Sequence, residues 1–313
     1  MAIQIQNEVI QAVAIGQIKD TLLKAQQATQ GAITIGKGIH KGDFKDETFF
    51  ANFGNPERRD PNTQTAVTPN RLSTLEDTAV KLYFRDDVFV TMTELERYGT
   101  TLDSMNRGIG IQLGTAIARW AIQKSLIASV AAINSEAGLV NGDGTLDVDT
   151  AMLSGSMFKL GDMYEDVKVF VAPSQITGKL LGNAIGANTD QIAYGAVYDG
   201  TVGTLGRNIW TVDSPALSWD DGTEQGHYTL GLTSGAVVVD ESETIKMLNQ
   251  LLTLESNAGY NFHSEGAYTV GVKGFTYDTA QGANPTDAIL GASASWNLVD
   301  QIKGSAGVIA KSK

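Results

Sequence analysis

The chain carries three histidines, His40, His227 and His263, and no cysteine. None of the histidines is paired with another or set in a His-Glu-x-x-His helix, so the convergent nitrogen and sulfur ligands of a zinc centre are missing from the sequence. Serines are plentiful, but none sits in a Gly-x-Ser-x-Gly elbow; Leu153-Ser154-Gly155-Ser156 lacks the first glycine. Gly36-Lys37-Gly38 has neither the Gly-Lys-Ser/Thr continuation nor the strand–turn–helix context that lets backbone N–H groups hold a phosphate, and it is read as a hinge. Oxygen-bearing residues at alternate positions from Asn141 through Asp143, Thr145 and Asp147 to Asp149 follow calcium-loop spacing. The sixth position is Leu146 where a glycine is needed, and the twelfth is Met152 where a bidentate glutamate is needed. A solvated turn leading into a helix capped by Asp149 fits better. The sequence therefore predicts no catalytic residue, no cofactor site and no metal site.

The elements that would position any chemistry are clearer. Apolar residues Val9, Ile10, Val13, Ala14, Ile18, Leu22 and Leu23 recur at helical spacing and predict a helix over Asn7–Gln27, with Asn7 as its cap. Four glycines between Gly31 and Gly42 suit an extended arm. The polar run Pro56-Glu57-Arg58-Arg59-Asp60-Pro61 lies between Phe44–Phe53 and the alternating Val80, Leu82, Phe84, Val88 and Val90. That pattern predicts two extended strands with a charged tip, and composition alone favours an ordinary surface hairpin. A single long helix over Thr101–Asn134 follows, with Met105, Ile109, Leu113, Ala116, Trp120, Ile127 and Ala131 on one stripe and no proline. At ~1.5 Å per residue it is a rod about 45 Å long, too long to be wrapped inside a small compact body. Beyond it, Val167–Ala172 reads as a buried strand, Gln175–Ala184 as a helix, and Ile209–Asp213 and Tyr228–Val239 as further strands. Thr244–Tyr277 alternates like long antiparallel strands. The fold class is α+β.

With 313 residues, 42% of them hydrophobic, the chain can bury a sizeable core. A net charge of −12 argues against a protein that wraps nucleic acid, which needs surplus Lys and Arg. The absence of cysteine excludes disulfides and thiolate chemistry. The N-terminus has no basic signal region and no stretch is expected to span a membrane, so synthesis in the cytoplasm is expected.

An ordered series of short signals gives the functional lead. Ala121-Ile122-Gln123-Lys124-Ser125-Leu126-Ile127 ends the long helix, and Leu160-Gly161-Asp162 ends the next. Val169-Phe170-Val171-Ala172-Pro173-Ser174 is followed by Leu180-Leu181. Then come Gly203-Thr204-Leu205-Gly206-Arg207-Asn208-Ile209-Trp210-Thr211-Val212-Asp213 and Leu230-Gly231-Leu232-Thr233-Ser234-Gly235-Ala236. Phe262-His263-Ser264-Glu265-Gly266-Ala267-Tyr268 precedes Asn284-Pro285-Thr286-Asp287-Ala288-Ile289-Leu290 and Asn297-Leu298-Val299. Each is weak alone; in this order, from about Gly42 onward, they resemble the major capsid proteins of tailed bacteriophages. The departures are Ala172-Pro173 where the family often has Met-His, and Ser295-Trp296-Asn297 where Asn more often precedes Trp.

The resemblance implies the Hong Kong 97-type capsid fold. Residues 1–38 would be an N-terminal arm and 39–94 an extended loop reaching a neighbour. Residues 95–140 would be the peripheral domain with its spine helix, 141–243 an axial domain meeting its copies at hexamer and pentamer centres, and 244–313 the return to the peripheral domain. Arg58, Arg59 and Arg71 beside Glu57, Asp60 and Glu76 would pair across subunits and set register. Lys81 lies in the extended loop, where a cross-link would need a partner Asn and a carboxylate. The implied partners are further copies of the chain, a separate scaffolding protein, a portal and a decoration or cement protein, with DNA enclosed without sequence-specific binding and no membrane. The short arm implies little N-terminal processing. The implied location is the virion, after assembly in the host bacterial cytoplasm. The rival readings are an encapsulin-like nanocompartment shell and a soluble α/β enzyme with a pocket in the 141–243 lobe.

Overall fold

A computed structural model describes residues 7–50, 61–62, 74–97, 102–187, 207–253, 258–299 and 301–313. Helix α1 (Asn7–Ala28) buries Ile10, Ala14, Ile18, Leu22 and Ala25, a three-to-four-residue spacing that keeps them on one face. Leu23, read from sequence as part of that face, is exposed. The helix stops where Gln30 and Gly31 take positive φ and the Gly31 N–H returns to the Gln26 carbonyl at 2.9 Å. The chain then enters strand β1 (Ile33–Lys37). Gly36 lies inside this strand, paired with Asp240, so Gly36-Lys37-Gly38 is part of a sheet edge and not the hinge its composition suggested.

Strands β2 (Phe44–Phe50) and β3 (Thr74–Thr91) pair antiparallel from Phe44–Val80 to Phe50–Thr74. After a short helix α2 (Met92–Arg97), helix α3 (Leu102–Asn134) forms the longest helix of the described residues. Two packing regimes divide it. Its first half lies along α1, where Gly110 and Gly114 bring the two backbones together. From Leu126 to Ile133 every residue but Ile127 is buried, because the helix there runs into the core between sheets. By length and composition Ser104–Asn134 is apolar enough to cross a membrane, which corrects the expectation that no stretch is. Its buried surface marks it as the core helix of this fold.

The second sheet begins with β4 (Val140–Asn141). Helix α4 (Thr150–Met157) is capped as the sequence suggests, the Asp149 carboxylate accepting the Met152 N–H at 2.6 Å. Strand β5 (Val167–Ala172) leads to α5 (Ser174–Ala187), and β6 (Asn208–Thr211), β7 (Ser218–Asp220) and β8 (Gln225–Thr233) follow. The chain returns to the first sheet through β9 (Val237–Leu252), β10 (Gly259–Val272) and β11 (Phe275–Tyr277). A one-turn helix α6 (Asp287–Leu290), β12 (Trp296–Leu298) and β13 (Gly307–Ser312) complete it.

The first sheet runs β1-β9-β10-β11-β12, with β3 added on β10 and β2 on β3; the second runs β4-β13-β8-β5-β6, with β7 on β8. Two features depart from the sequence reading. Strand β9 is unbroken from Val237 to Leu252, so no element ends at 243. Strand β13 sits inside the second sheet, antiparallel to β8 and parallel to β4, so the return after 244 is not confined to the lobe of the long helix. Val308, Ile309 and Ala310 are wholly buried there, which is why the last strand is drawn into that core.

Candidate functional site

The outward surfaces of this molecule are its most unusual chemistry. Strands β3, β10 and β9 form a three-stranded ribbon whose far end spans about Arg85 to Thr91 of β3. Phe89 and Leu248 are 41% and 59% exposed there, beside an array of charges. Arg85 reaches Asp87 at 2.9 Å, and His263 Nδ1 lies 2.6 Å from Asp87 Oδ1 and its Nε2 3.5 Å from Glu265. Lys246 reaches Glu265 at 3.3 Å. The hydrogen bond to Asp87 holds the His263 imidazolium on, raising its pKa, and the same bond lowers that of Asp87. On the other face, Val88 and Val90 of β3 and Ile109 and Ile111 of α3 line an open groove of about 460 Å³.

Several of the short signals that ran in order through the sequence turn out to be joints, while Gly203-Thr204-Leu205-Gly206 lies outside the described residues. Asp213, just after β6, accepts the Ser174 N–H at 2.8 Å and so caps the helix that leaves the neighbouring parallel strand β5. Gly161 takes φ +63° between Leu160, which is buried, and Asp162, which pairs with Lys303 at 2.6 Å. Thr286 caps α6, and Asp287 at its start grips Lys124 of α3 with both carboxylate oxygens at 2.6 Å. Trp296 Nε1 donates to the Leu290 carbonyl at 3.0 Å and closes that turn against the long helix. These residues hold a shape. The Asn141–Asp149 segment is a turn in which Asp143 accepts from both the backbone and the hydroxyl of Thr145. No cluster of three metal-binding side chains occurs among the described residues.

Of the expected contact residues, Glu57, Arg58, Arg59, Asp60 and Arg71 lie outside the described residues. Glu76 is exposed on β3, paired across the ladder with Thr48. Along α3, Leu113 is buried while Met105, Ile109, Trp120 and Ile127 are half-buried and Ala116 is exposed. The fully buried line runs through Leu113 of the expected stripe and through Ile117, Ala118 and Ala121 beside it. Leu113 and Ile117 follow from the apolar spacing; what sequence reasoning missed is the close approach of α1, because Gly110 and Gly114 mark it and a hydrophobicity pattern does not register glycines. It also missed the burial of two lysines. Lys81 is 2% exposed and paired with Glu243 at 2.8 Å, and Lys124 is held by Asp287.

A family model for major capsid protein 13-like proteins (Gp13-like) matches residues 2–309. The chain belongs to the major capsid protein 13-like family. As a capsid protein its place is the virion, and its task is structural. The fold agrees with solved phage capsids at low sequence identity. The capsid of cyanophage P-SCSP1u matches with 14% identity and a TM-score of 0.55, over 91% of this chain and 87% of that one. That of Ralstonia phage GP4 matches with 11% identity and a TM-score of 0.55, over 90% and 87%. A structure from Mycobacterium phage Adephagia matches with 11% identity and a TM-score of 0.54, over 94% and 90%. A sequence comparison with curated proteins gives no match. The Hong Kong 97-like architecture that the motif order implied is thus the architecture of this coat protein.

Proposed function

We propose that this capsid protein assembles with copies of itself into hexamers and pentamers of an icosahedral shell that encloses the double-stranded DNA of a tailed phage. The observation that carries this reading is the uncovered apolar surface of the ribbon and its groove. Phe89, Leu248, Leu251 and Ile111 are all at least 41% exposed, on both faces of the ribbon end and on the helix beside it, and a coat protein covers such a surface with its neighbours. The lobe of the second sheet is the axial domain in this reading, and α3 with the first sheet is the peripheral domain. The β2–β3 projection, with Arg58, Arg59 and Arg71 beside Glu57, Asp60 and Glu76, packs on the adjacent subunit and sets its register.

A separate scaffolding protein directs assembly in this scheme, since α1 is folded onto its own subunit and is not free to serve as an internal core. A portal occupies one vertex, and a decoration protein can sit on the outer face. The surplus of acidic residues keeps the wall from binding the genome tightly. Deleting Pro56–Pro69 tests the role of the projection. The expected product is a folded subunit with an unchanged circular dichroism spectrum that no longer forms shells; normal-sized shells from the deletion would contradict it.

A further inference from the structure

The outer edge of β3 is closed at both ends of the ribbon and open in the middle. In an antiparallel pair, alternate residues turn both backbone groups toward the partner strand and the others turn them away. Lys81, Tyr83 and Thr91 are of the second kind. Their N–H groups point away from β10, to the Asp43 carbonyl at 2.9 Å, Asn284 Oδ1 at 3.1 Å and Glu94 Oε2 at 2.9 Å. The same alternation turns the N–H and C=O groups of Arg85, Asp87 and Phe89 outward, and among the described residues nothing bonds to them. All three residues are exposed, and the pairing of β2 ends at Phe44–Val80, short of them. A five-residue open edge beside apolar surface is a template for another strand.

The surroundings define that strand. Residues opposite each other across a ladder share a face. Arg85, Asp87 and Phe89 lie on the face of His263 and Glu265, so the first, third and fifth residues of an added segment meet charge and solvent. Asp86 and Val88 lie on the other face, where Val90, Ile109 and Ile111 help to wall the open groove, so its second and fourth residues meet apolar surface. The sequence contains one such segment just before α1. Ala2-Ile3-Gln4-Ile5-Gln6 has the required length and alternation, with no charge, proline or glycine, and lies outside the described residues. With Gln4 opposite Asp87, either strand direction sets Ile3 and Ile5 opposite Asp86 and Val88, over the groove, and the glutamines on the charged face.

The position of α1 decides which copy supplies the segment. Gly110 and Gly114 face α1, whereas Gln112 and Arg119 on the groove side stand about half a turn round α3 from Gly110. Helix α1 packs toward β1 and β9, and the open edge of β3 is at the other side of the sheet. Six extended residues span at most about 20 Å, and passing round a helix about 10–12 Å across uses most of that reach. A subunit's own residues 2–6 therefore cannot pass α3 and also lie along five residues of its edge. We propose that Ala2–Gln6 of a second copy adds as a strand to the Arg85–Phe89 edge of β3, with Ile3 and Ile5 seated in the groove. This rests on the coat-protein reading, in which every copy meets another at a fixed register. Its effect is to tie each N-terminus to a neighbour while α1 stays docked on its own subunit.

The chain has no cysteine, so a single introduced pair reports the contact. Gln4→Cys and Asp87→Cys proteins are mixed in equal amounts, assembled, and treated with oxidised glutathione. Peptide mapping is expected to find a disulfide joining positions 4 and 87 in shells and none in the same mixture kept below the assembly threshold. Asp87→Pro and Asp87→Ala lose the same side-chain contacts, but only proline removes the outward N–H, at an edge position that tolerates it. The threshold concentration for shell formation, read by light scattering and electron microscopy, is expected to be at least five-fold higher for Asp87→Pro than for Asp87→Ala. Thermal melts of unassembled subunits check that both fold. Wild-type shells with no such disulfide and equal thresholds for the two variants would overturn the added strand and leave the coat-protein reading standing. A raised proline threshold without the disulfide would give the edge to another segment and overturn this occupant. The same disulfide within single chains of the double variant below threshold would overturn the second copy as its source. Absence of shells from the wild type under every assembly condition would overturn both readings.

Discussion

Gly114 of α3 faces the Ala14 carbonyl of α1 so closely that a Cβ at Gly114 would lie 2.5 Å from that oxygen. Gly110, one turn earlier, stands in the same relation to Ile10 at 2.8 Å. The N-terminal helix is therefore docked on its own subunit by backbone approach, with Ile10, Ala14, Ile18 and Leu22 filling the line beside Leu113 and Ile117. An arm held in this way is a structural part of the subunit.

Gly114→Val should force the two helices apart. Overpacking of this kind costs about 1–3 kcal/mol. The expected outcome is a lower melting temperature together with faster proteolysis within residues 7–28, while the second sheet stays protected in hydrogen exchange. Unchanged protection of α1 would show that the contact is looser than the geometry indicates.

Trp120 closes an aromatic group with Phe84 and Tyr268, ring centroids 5.4 Å and 6.4 Å away, where the long helix meets the first sheet. Because Trp120 is only half-buried, Trp120→Ala should cost about 2–4 kcal/mol, at or below the range for a fully enclosed ring. Urea denaturation of unassembled subunits measures it. A change under about 0.5 kcal/mol would place Trp120 outside the core.

Lys124 and Asp287 should respond asymmetrically. Asp287→Ala strands an ammonium that is 8% exposed and is expected to cost about 1–3 kcal/mol, whereas Lys124→Met removes the charge and keeps most of the volume. The methionine variant is thus expected to be the more stable of the two by denaturant unfolding, and the reverse order would refute the argument.

Stability of the isolated subunit should fall with rising pH between about 4 and 7. Burial, with the Glu47 carboxylate beside it, keeps Asp77 protonated in the folded chain up to about 7. Unfolded, it ionises near the usual carboxylate value, so the folded state binds more protons over that window. The contribution is complete below the unfolded pKa and is lost as pH passes the folded one. His263, raised by Asp87, works in the same direction. Asp77→Asn should flatten the profile and stabilise the unassembled subunit at pH 8 by about 1–3 kcal/mol, discounted from the full shift because the group is partly exposed. Parallel pH profiles for the two proteins would exclude Asp77 as the titrating group.

Much of the fold was legible in the sequence because its long elements carry strong periodicity. The α1 spacing, the proline-free α3 and the alternation that became β3, β9 and β10 follow directly from side-chain period. The pairing of two extended strands and the Asp149 cap likewise follow from local patterning, while the strand register does not. What escaped was set by long-range pairing. Nothing local to Gly307–Ser312 shows that it belongs between β4 and β8, nor does any pattern around Gly36 reveal Asp240 beside it. The candidate contact surface was legible only in part. Its charged tip was visible as composition, whereas the open edge at Asp87 depends on which strands pair, and Arg85 and Phe89 are ordinary residues until the sheet forms.

The account stands most directly on the state of the purified protein under the electron microscope. Expressed alone or with a scaffolding protein from the same phage, it is predicted to form closed icosahedral shells built from hexamers and pentamers, with β2–β3 projections and ribbons covered by neighbouring subunits. A monodisperse monomer or dimer that forms no shells or capsomers under any assembly condition would contradict it.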